Sequence, residues 1–502
     1  MNRSVVDKPS KMSDKKVLKG LDKLAYYASY VTVEPTLVLY MMAFMTTSVI
    51  EQSFYVYKSC IANHGYNETI CRNLNKKQHE NITKEVQVTT SNFLIWNNIA
   101  GHAVPIVLAL FMGAWSDKRG RKLPLIIGLT GKLIFSLMIV VNSLNPQWPV
   151  EYIIYTATLP SALSGADVAI FASSFTYLID VSSLEYRTMR VTVLEVAYLA
   201  TMPLGVALGS YLYNYVLNKS YTYMFIINSC LMIGAILYSS LRLRWRTNLK
   251  QRPLSEAPNK LRDFFDYNHL VNTVQVMCKR RPNNRRIYLL VLVGMMSLYT
   301  FQRDEREIMY MYCQRVFHWN VEEFSKFRTV QSALQDVILL IAVPLMSRVL
   351  GLRDTVIIMF GAIMHSSARI FYATANAALL FYIGGVIASF GPVVAPVIRS
   401  LVSKIITESE KGKVFAVLAV ADVAVPILSG TAYSSLYNLT RHSSLSAVYY
   451  LTMATQLGVF CLVLYIHFKT KPNEFEEVSN TNCDSTTEKT DEVNLDERSR
   501  LK

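Results

Sequence analysis

The sequence predicts an all-α membrane protein whose twelve transmembrane helices form two six-helix halves. Three observations predict it. Apolar blocks of spanning length recur from Thr32 to Phe468, charges gather between those blocks, and one long basic stretch divides the blocks six and six. Hydrophobic residues make up 52% of the 502 and charged residues only 17%, with a mean hydropathy of +0.25. A water-soluble chain of this length needs a more polar surface and divides into several domains. A helix needs about 20 apolar residues to cross the hydrocarbon core, and the helix is the favoured element there because it satisfies its own backbone groups.

The blocks place spans at 32–51, 92–113, 121–142, 151–180, 191–213 and 221–241, then at 287–310, 326–350, 354–374, 377–402, 414–437 and 445–468. Residues 32–241 are therefore one half and 287–468 the other. Residues 1–31 are polar and lysine-rich, with no cleavable signal peptide, so the first span is expected to direct insertion. Residues 242–286 hold Arg242, Arg244, Arg246, Arg252, Arg262, Lys279, Arg280, Arg281, Arg285 and Arg286 against Glu256, Asp263 and Asp266. Basic loops face the cytoplasm, which puts this loop and both termini there. The net charge of +15 follows from the same rule and calls for no nucleic acid. The acidic residues 469–502 read as a disordered cytoplasmic tail.

The loop 52–91 then lies outside. Its sequons, Asn67-Glu68-Thr69 and Asn81-Ile82-Thr83, are expected to carry glycans. Cys60 and Cys71 share this loop, and Cys313 lies just beyond the seventh span. A bridge from the loop to Cys313, a bridge within the loop, or free thiols all fit an oxidising outer face, and spacing does not choose among them.

Between the second and third spans runs Gly113-Ala114-Trp115-Ser116-Asp117-Lys118-Arg119-Gly120-Arg121-Lys122. So short a connection needs a tight turn, which Gly120 permits. Asp117 can meet helix-terminal N–H groups and a cation, and Arg121 and Lys122 are placed to pair with it. Such a charged latch can hold an inner gate in one state and release it in another. The stretch resembles the G-x-x-x-D-[RK]-x-G-R-[RK] signature of the major facilitator superfamily at every position. The matching second-half stretch from Pro344 to Asp354 looks like a decayed copy that keeps Gly351. The resemblance implies the major facilitator fold, a central site between the halves, and rocking about it.

Ionisable residues inside spans are costly and usually face a cavity or a partner. Those expected here are Glu34, His102, Lys132, Asp167, Glu195, Asp336, His365, Arg369, Arg399 and Asp422. Glu195 sits inside the fifth span, where a partly desolvated carboxylate can carry a proton, or serve as a structural pair. Arg399 follows Pro392 and Pro396, which weaken the helix. Its guanidinium can clamp a substrate carboxylate bidentately or snorkel to the interface. Asp422 is a proton site or the partner of Arg399. Asp167, among small neighbours, is a substrate contact or a structural hydrogen-bond acceptor. His365 and Arg369 share a helical face and either line the cavity or pack within the bundle.

The stretch Tyr177-Leu178-Ile179-Asp180-Val181-Ser182-Ser183-Leu184-Glu185-Tyr186-Arg187-Thr188-Met189-Arg190 runs on to Leu194-Glu195. With Glu34-Pro35 and Pro396-Val397-Ile398-Arg399-Ser400, it resembles the proton-coupled folate transporter family, solute carrier family 46, over most of residues 25–468. The resemblance implies proton-driven symport, with Glu195 as the coupling glutamate, Arg399 in proton and substrate handling, and His269 influencing proton access. It also implies a bridge from the first outer loop to the loop after the seventh span. The folate member's seventh-span histidine is replaced by the region of Phe301 and Gln302, which argues against folate itself.

A symporter of a small organic anion, driven by the proton gradient without cofactor, is therefore the leading expectation. Its partners are substrate, protons and membrane lipid. The alternative is a polytopic receptor or scaffold that has lost transport. An ATP-driven pump has no G-x-x-x-x-G-K-[ST] loop here, and no metal or nucleophile constellation supports an enzyme. The plasma membrane is the first expected location and the endolysosomal membrane the second.

Overall fold

The computed structural model describes residues 31–182, 187–247, 251–256, 259, 263–265, 279, 285–406, 408–440 and 444–470. His269 and both tails beyond these bounds lie outside the described residues. Every regular element among them is helical. Among the described residues, eleven helical stretches are long and apolar enough to cross a membrane. The remaining crossing, seventh in order, is built differently. Arg285–Phe301 ends in a tight turn at Gln302–Asp304, and Glu305–Val316 continues beyond it. Five consecutive charged residues, Arg303 to Glu307, sit at that break.

The face carrying Asn67 and Asn81 is here called outer, and that carrying the Gly113–Lys122 loop inner. The outer loop is shorter than expected. The first span runs from Glu34 through Lys58 and continues as a wide turn to Asn63, and the second begins at Glu80. The second helix, Glu80–Arg119, has 40 residues, so it is roughly 60 Å long at 1.5 Å per residue. The polar character of residues 80–91 disguises this extension. Thr83, Gln87, Thr90 and Ser91 are in fact buried. Asn67 and Asn81 are exposed, and Asn67 caps the short helix Glu68–Cys71.

That short helix returns Cys71 to Cys60, and the two form a disulfide with their Cα atoms 5.7 Å apart. Cys313 is a buried free thiol. The bridge between halves that the family resemblance implies is not formed, because the loop folds back on its own half and satisfies both of its cysteines.

Within the first half, the first span packs on the fifth and sixth, and the third on the fourth and sixth. In the second half, the ninth packs on the tenth and twelfth, and the seventh on the tenth, eleventh and twelfth. Across the halves, the second span lies on the eleventh and the fifth on the eighth. The apolar cores divide unevenly. One outer core draws on both halves, including Phe54, Tyr55 and Phe93 with Tyr312, Phe327, Tyr372 and Tyr449. Toward the inner end each half has its own core, around Leu37, Leu129 and Leu194 in one and Leu292, Ile358 and Val463 in the other.

Hydrogen bonds follow the same division. Gln87 Nε2 donates to Met311 O at 3.1 Å and to Gln314 Oε1 at 3.0 Å, while Tyr437 Oη donates to Gln87 Oε1 at 2.7 Å. Ser91 Oγ donates to Ser434 O at 3.0 Å, and Tyr215 Oη to Glu322 at 2.7 Å. The halves are thus joined at the outer end and separately packed at the inner end. This division is the one expected of an inward-facing arrangement.

The first and fifth spans approach backbone to backbone. A Cβ on Gly209 would stand 1.9 Å from Thr46 O, and one on Gly205 would stand 2.6 Å from Met45 Cβ. Small residues four apart permit such crossings. Gly209→Leu is expected to lower the thermal midpoint and the yield of folded protein, since overpacking a tight contact costs about 1–3 kcal/mol or more. Gly294→Ala, at a position open to added volume, is expected to leave both unchanged. Fluorescence-detected chromatography after heating would measure the difference.

Candidate functional site: a cleft between the halves and its inner gate

The inner gate is built on the turn at Gly120. Its φ is +107°, and a Cβ there would lie 2.6 Å from Trp245 O, so both conformation and space demand glycine. Arg121 is the hub. Its guanidinium pairs with Asp117, reaches Asp180 at 3.3 Å, and donates to Ser116 Oγ at 2.6 Å. This ties the second and third spans to the end of the fourth. Lys122 departs from expectation. It does not join Asp117 but donates to the carbonyls of Ser240 and Leu243 at 2.7 and 2.8 Å, with its ammonium over the Trp245 ring. The reason is the sixth span's C-terminus, whose free carbonyls form the negative end of the helix and attract a cation. Gly113 lies further up the second span with open space beside it.

A segment of the central loop clamps this gate. Asp263 accepts from Arg119 Nε and Nη2, each at 2.7 Å, and from Lys118 Nζ at 2.7 Å. Phe264 packs edge-on to Trp115, and Phe265 edge-on to Phe111. The Arg119 guanidinium, followed by the Lys118 ammonium, holds the Asp263 carboxyl well below the usual carboxylate range. Sequence reading counted Asp263 only as a minor offset in a basic loop. The Asp-Phe-Phe triplet after a basic run was the available signal.

In the middle of the membrane, the expected residues separate into two groups. Glu195 and Arg399 face one another across the inner cleft. Both side chains are open, and they lie close enough to interact electrostatically. Glu195 has no hydrogen bond or ion pair among the described residues. Arg399 pairs with Asp422 at 3.2 Å, and Thr300 Oγ1 donates to Asp422 at 2.8 Å. Asp422 is thus the partner of Arg399. The break at residues 389–393, before Val394–Ile405, lies where Pro392 weakens the tenth span. Asp167 sits across the first half, paired with Lys132 at 2.8 Å and accepting from Tyr40 Oη.

His365 and Arg369 belong to the second group. Both are buried, and Arg369 forms two 3.2 Å hydrogen bonds with Glu305 of the seventh span. They do not line the cleft. A guanidinium enclosed in a bundle requires a carboxylate, and Glu305 supplies it from the charged run that sequence reading passed over inside an apolar block. That run, Arg303 to Glu307, was visible as an anomaly at residues 287–310. Glu307 meets Asn98 of the second span at 3.3 Å, and Asp304 accepts from Ser429. Asp336, on the eighth span, is buried with neither carboxyl oxygen hydrogen-bonded.

Two outcomes follow. Glu305→Gln strands Arg369 in the bundle and is expected to cost about 3–5 kcal/mol, while the double variant Glu305→Gln, Arg369→Met recovers most of that loss in thermal unfolding. Asp263 has its pKa depressed by folding, so the clamp is at full strength above the unfolded value near 4 and weakens only as pH falls through the lower folded value. Asp263→Asn is therefore expected to speed tryptic cleavage of the central loop by the same factor at about pH 5.5 and about pH 7.5.

Residues 36–325 match the family profile of the Major Facilitator Superfamily. Among curated relatives, a probable peptidoglycan muropeptide transporter of Drosophila melanogaster is 24% identical, covering 82% of this chain and 80% of that protein. A lysosomal proton-coupled steroid conjugate and bile acid symporter of Gallus gallus is 25% identical, over 86% and 93%. The proton-coupled folate transporter of Rattus norvegicus is 25% identical, over 77% and 81%. Among solved structures, a D-xylose–proton symporter shares the fold with a TM-score of 0.61 at 14% identity, covering 89% of this chain and 99% of that one. The human organic anion transporter MFSD10 does so with a TM-score of 0.58 at 15% identity, over 86% and 97%. The chain belongs to the major facilitator superfamily, with members of solute carrier family 46 among its relatives.

Proposed function

We propose that this transporter is a proton-coupled symporter of a small organic anion, working by alternating access about the cleft between its halves. The observation that carries the reading is Glu195, an unpaired carboxylate on the fifth span that faces Arg399 of the other half. When ionised, Glu195 competes with a substrate anion for the Arg399 guanidinium. When protonated, it leaves that guanidinium to the substrate, so proton and anion load together. Asp422 holds Arg399 in place from behind and keeps the site from carrying excess positive charge. The relatives' names support the substrate class, since steroid conjugates, bile acids and folates are proton-coupled cargo in those proteins.

Asp117, Arg121 and Asp180 form the inner latch in this reading, and the outer seal holds while the inner side stands open. His269, outside the described residues, belongs to the same proposal as the loop histidine that influences proton access. Plasma-membrane residence, with both termini cytoplasmic and glycans on Asn67 and Asn81, completes it. A receptor that has lost transport has no observation in its favour, because the cleft retains both a free carboxylate and an open guanidinium.

In vesicles, inward flux of the anion is expected to rise as outside pH falls and to collapse with a protonophore. Glu195→Gln is expected to abolish uphill uptake and its pH dependence while preserving anion exchange. Uptake by this variant with an unchanged pH profile would remove Glu195 from the coupling step.

A further inference from the structure

Arg303 stands at the break of the seventh span and has no role in the reading so far. The turn at Gln302–Asp304 interrupts the seventh span between Arg285–Phe301 and Glu305–Val316. The Arg303 guanidinium is exposed. Its hydrogen bond, from Nη2, goes to the backbone carbonyl of Asp422 at 3.1 Å, which carries no full charge, and it makes no ion pair among the described residues. Nearby carboxylates are already engaged: Asp304 accepts from Ser429, Glu307 from Asn98, and Asp422 from Thr300 and Arg399.

An open guanidinium at this depth does not face lipid, where its cost is several kcal/mol. Its electrostatic neighbour across the halves is His102 of the second span, as Glu195 and Tyr198 of the fifth span are for Arg399. Both arginines therefore open onto the same cleft from either side of Asp422. Opposite them, Tyr198 is edge-on to Phe171 and Phe175, at 5.9 and 6.3 Å between ring centres. Two guanidiniums flanking one carboxylate leave one positive charge, and Tyr198, which faces Arg399, belongs to a partly buried aromatic cluster with Phe171 and Phe175.

We infer that Arg303 is a second anion-binding side chain, which with Arg399 grips the headgroup of an amphipathic organic anion whose apolar body lies on the Phe171–Tyr198 wall. The headgroup needs at least two acceptor oxygens, as a sulfate or carboxylate has, because each guanidinium presents a planar set of donors. The inference rests on the organic-anion reading above and extends it to a residue and a headgroup geometry.

The test uses the full chain in lipid nanodiscs, with pregnenolone sulfate and its uncharged parent alcohol as probes and displacement of labelled sulfate ester as the readout. Arg303→Gln is expected to weaken the sulfate about 10-fold or more, in line with a charge-assisted hydrogen bond, while the parent alcohol changes little. Arg303→Lys is expected to restore part of the loss. The thermal midpoint without ligand is expected to match the unaltered protein in both variants. Sulfate affinity unchanged in Arg303→Gln but lost in Arg399→Gln would overturn the inference and leave the organic-anion reading standing. Equal weakening of sulfate and alcohol would also overturn it, since that marks a change in cleft shape. Failure of the unaltered protein to bind the sulfate, muropeptide or folate would overturn the organic-anion reading itself, and this inference with it.

Discussion

Everything in this structure depends on how charge and polarity are kept out of lipid. The halves share an apolar core at one end only, and the cross-half hydrogen bonds around Gln87 and Ser91 lie at that same end. A polar group buried in such a seam costs free energy unless it is paired, so the seal is specific as well as tight. Gln87 uses both its amide nitrogen and its carbonyl oxygen there. The inner end has no shared core, and the open groups of the cleft can be solvated.

The buried pair Glu305–Arg369 and the open pair Asp422–Arg399 show two uses of the same chemistry. The first is enclosed by Thr452 and Tyr433 and holds the seventh span to the ninth. The second is reachable from the cleft and can exchange partners. Position along the seventh span separates them. Its break parts residues two positions apart, so Arg303 is exposed while Glu305 is buried.

Much of the architecture was legible because lipid imposes a simple rule. The apolar blocks marked the spans, and the basic stretch at 242–286 divided them. The gate turn was legible from Gly120 and Asp117, since only a short list of residues suits so tight a connection. Side-chain partners were not. Lys122 chose the sixth span's carbonyls over Asp117, and Cys71 chose Cys60 over Cys313, because both outcomes depend on which elements fold against each other. The polar residues 80–91 read as loop although they are helix, since Gln87 and Ser91 find partners 224 to 350 positions away in the other half, while Thr83 and Thr90 bond Leu74 and Ser59 of the folded-back outer loop. Hydropathy measures affinity for lipid, and a polar helix facing another polar helix has none to report.

The 40-residue second helix reaches from Gln87 and Ser91 in the outer seal to Arg119 in the central-loop clamp. It is one continuous rod, with Pro105 as its only internal proline. A tilt that parts its outer end from the eleventh span must swing its inner end the opposite way. Opening one mouth and shutting the other are thus a single lever stroke, and the loop triplet at Asp263 is fastened to the inner arm of that lever.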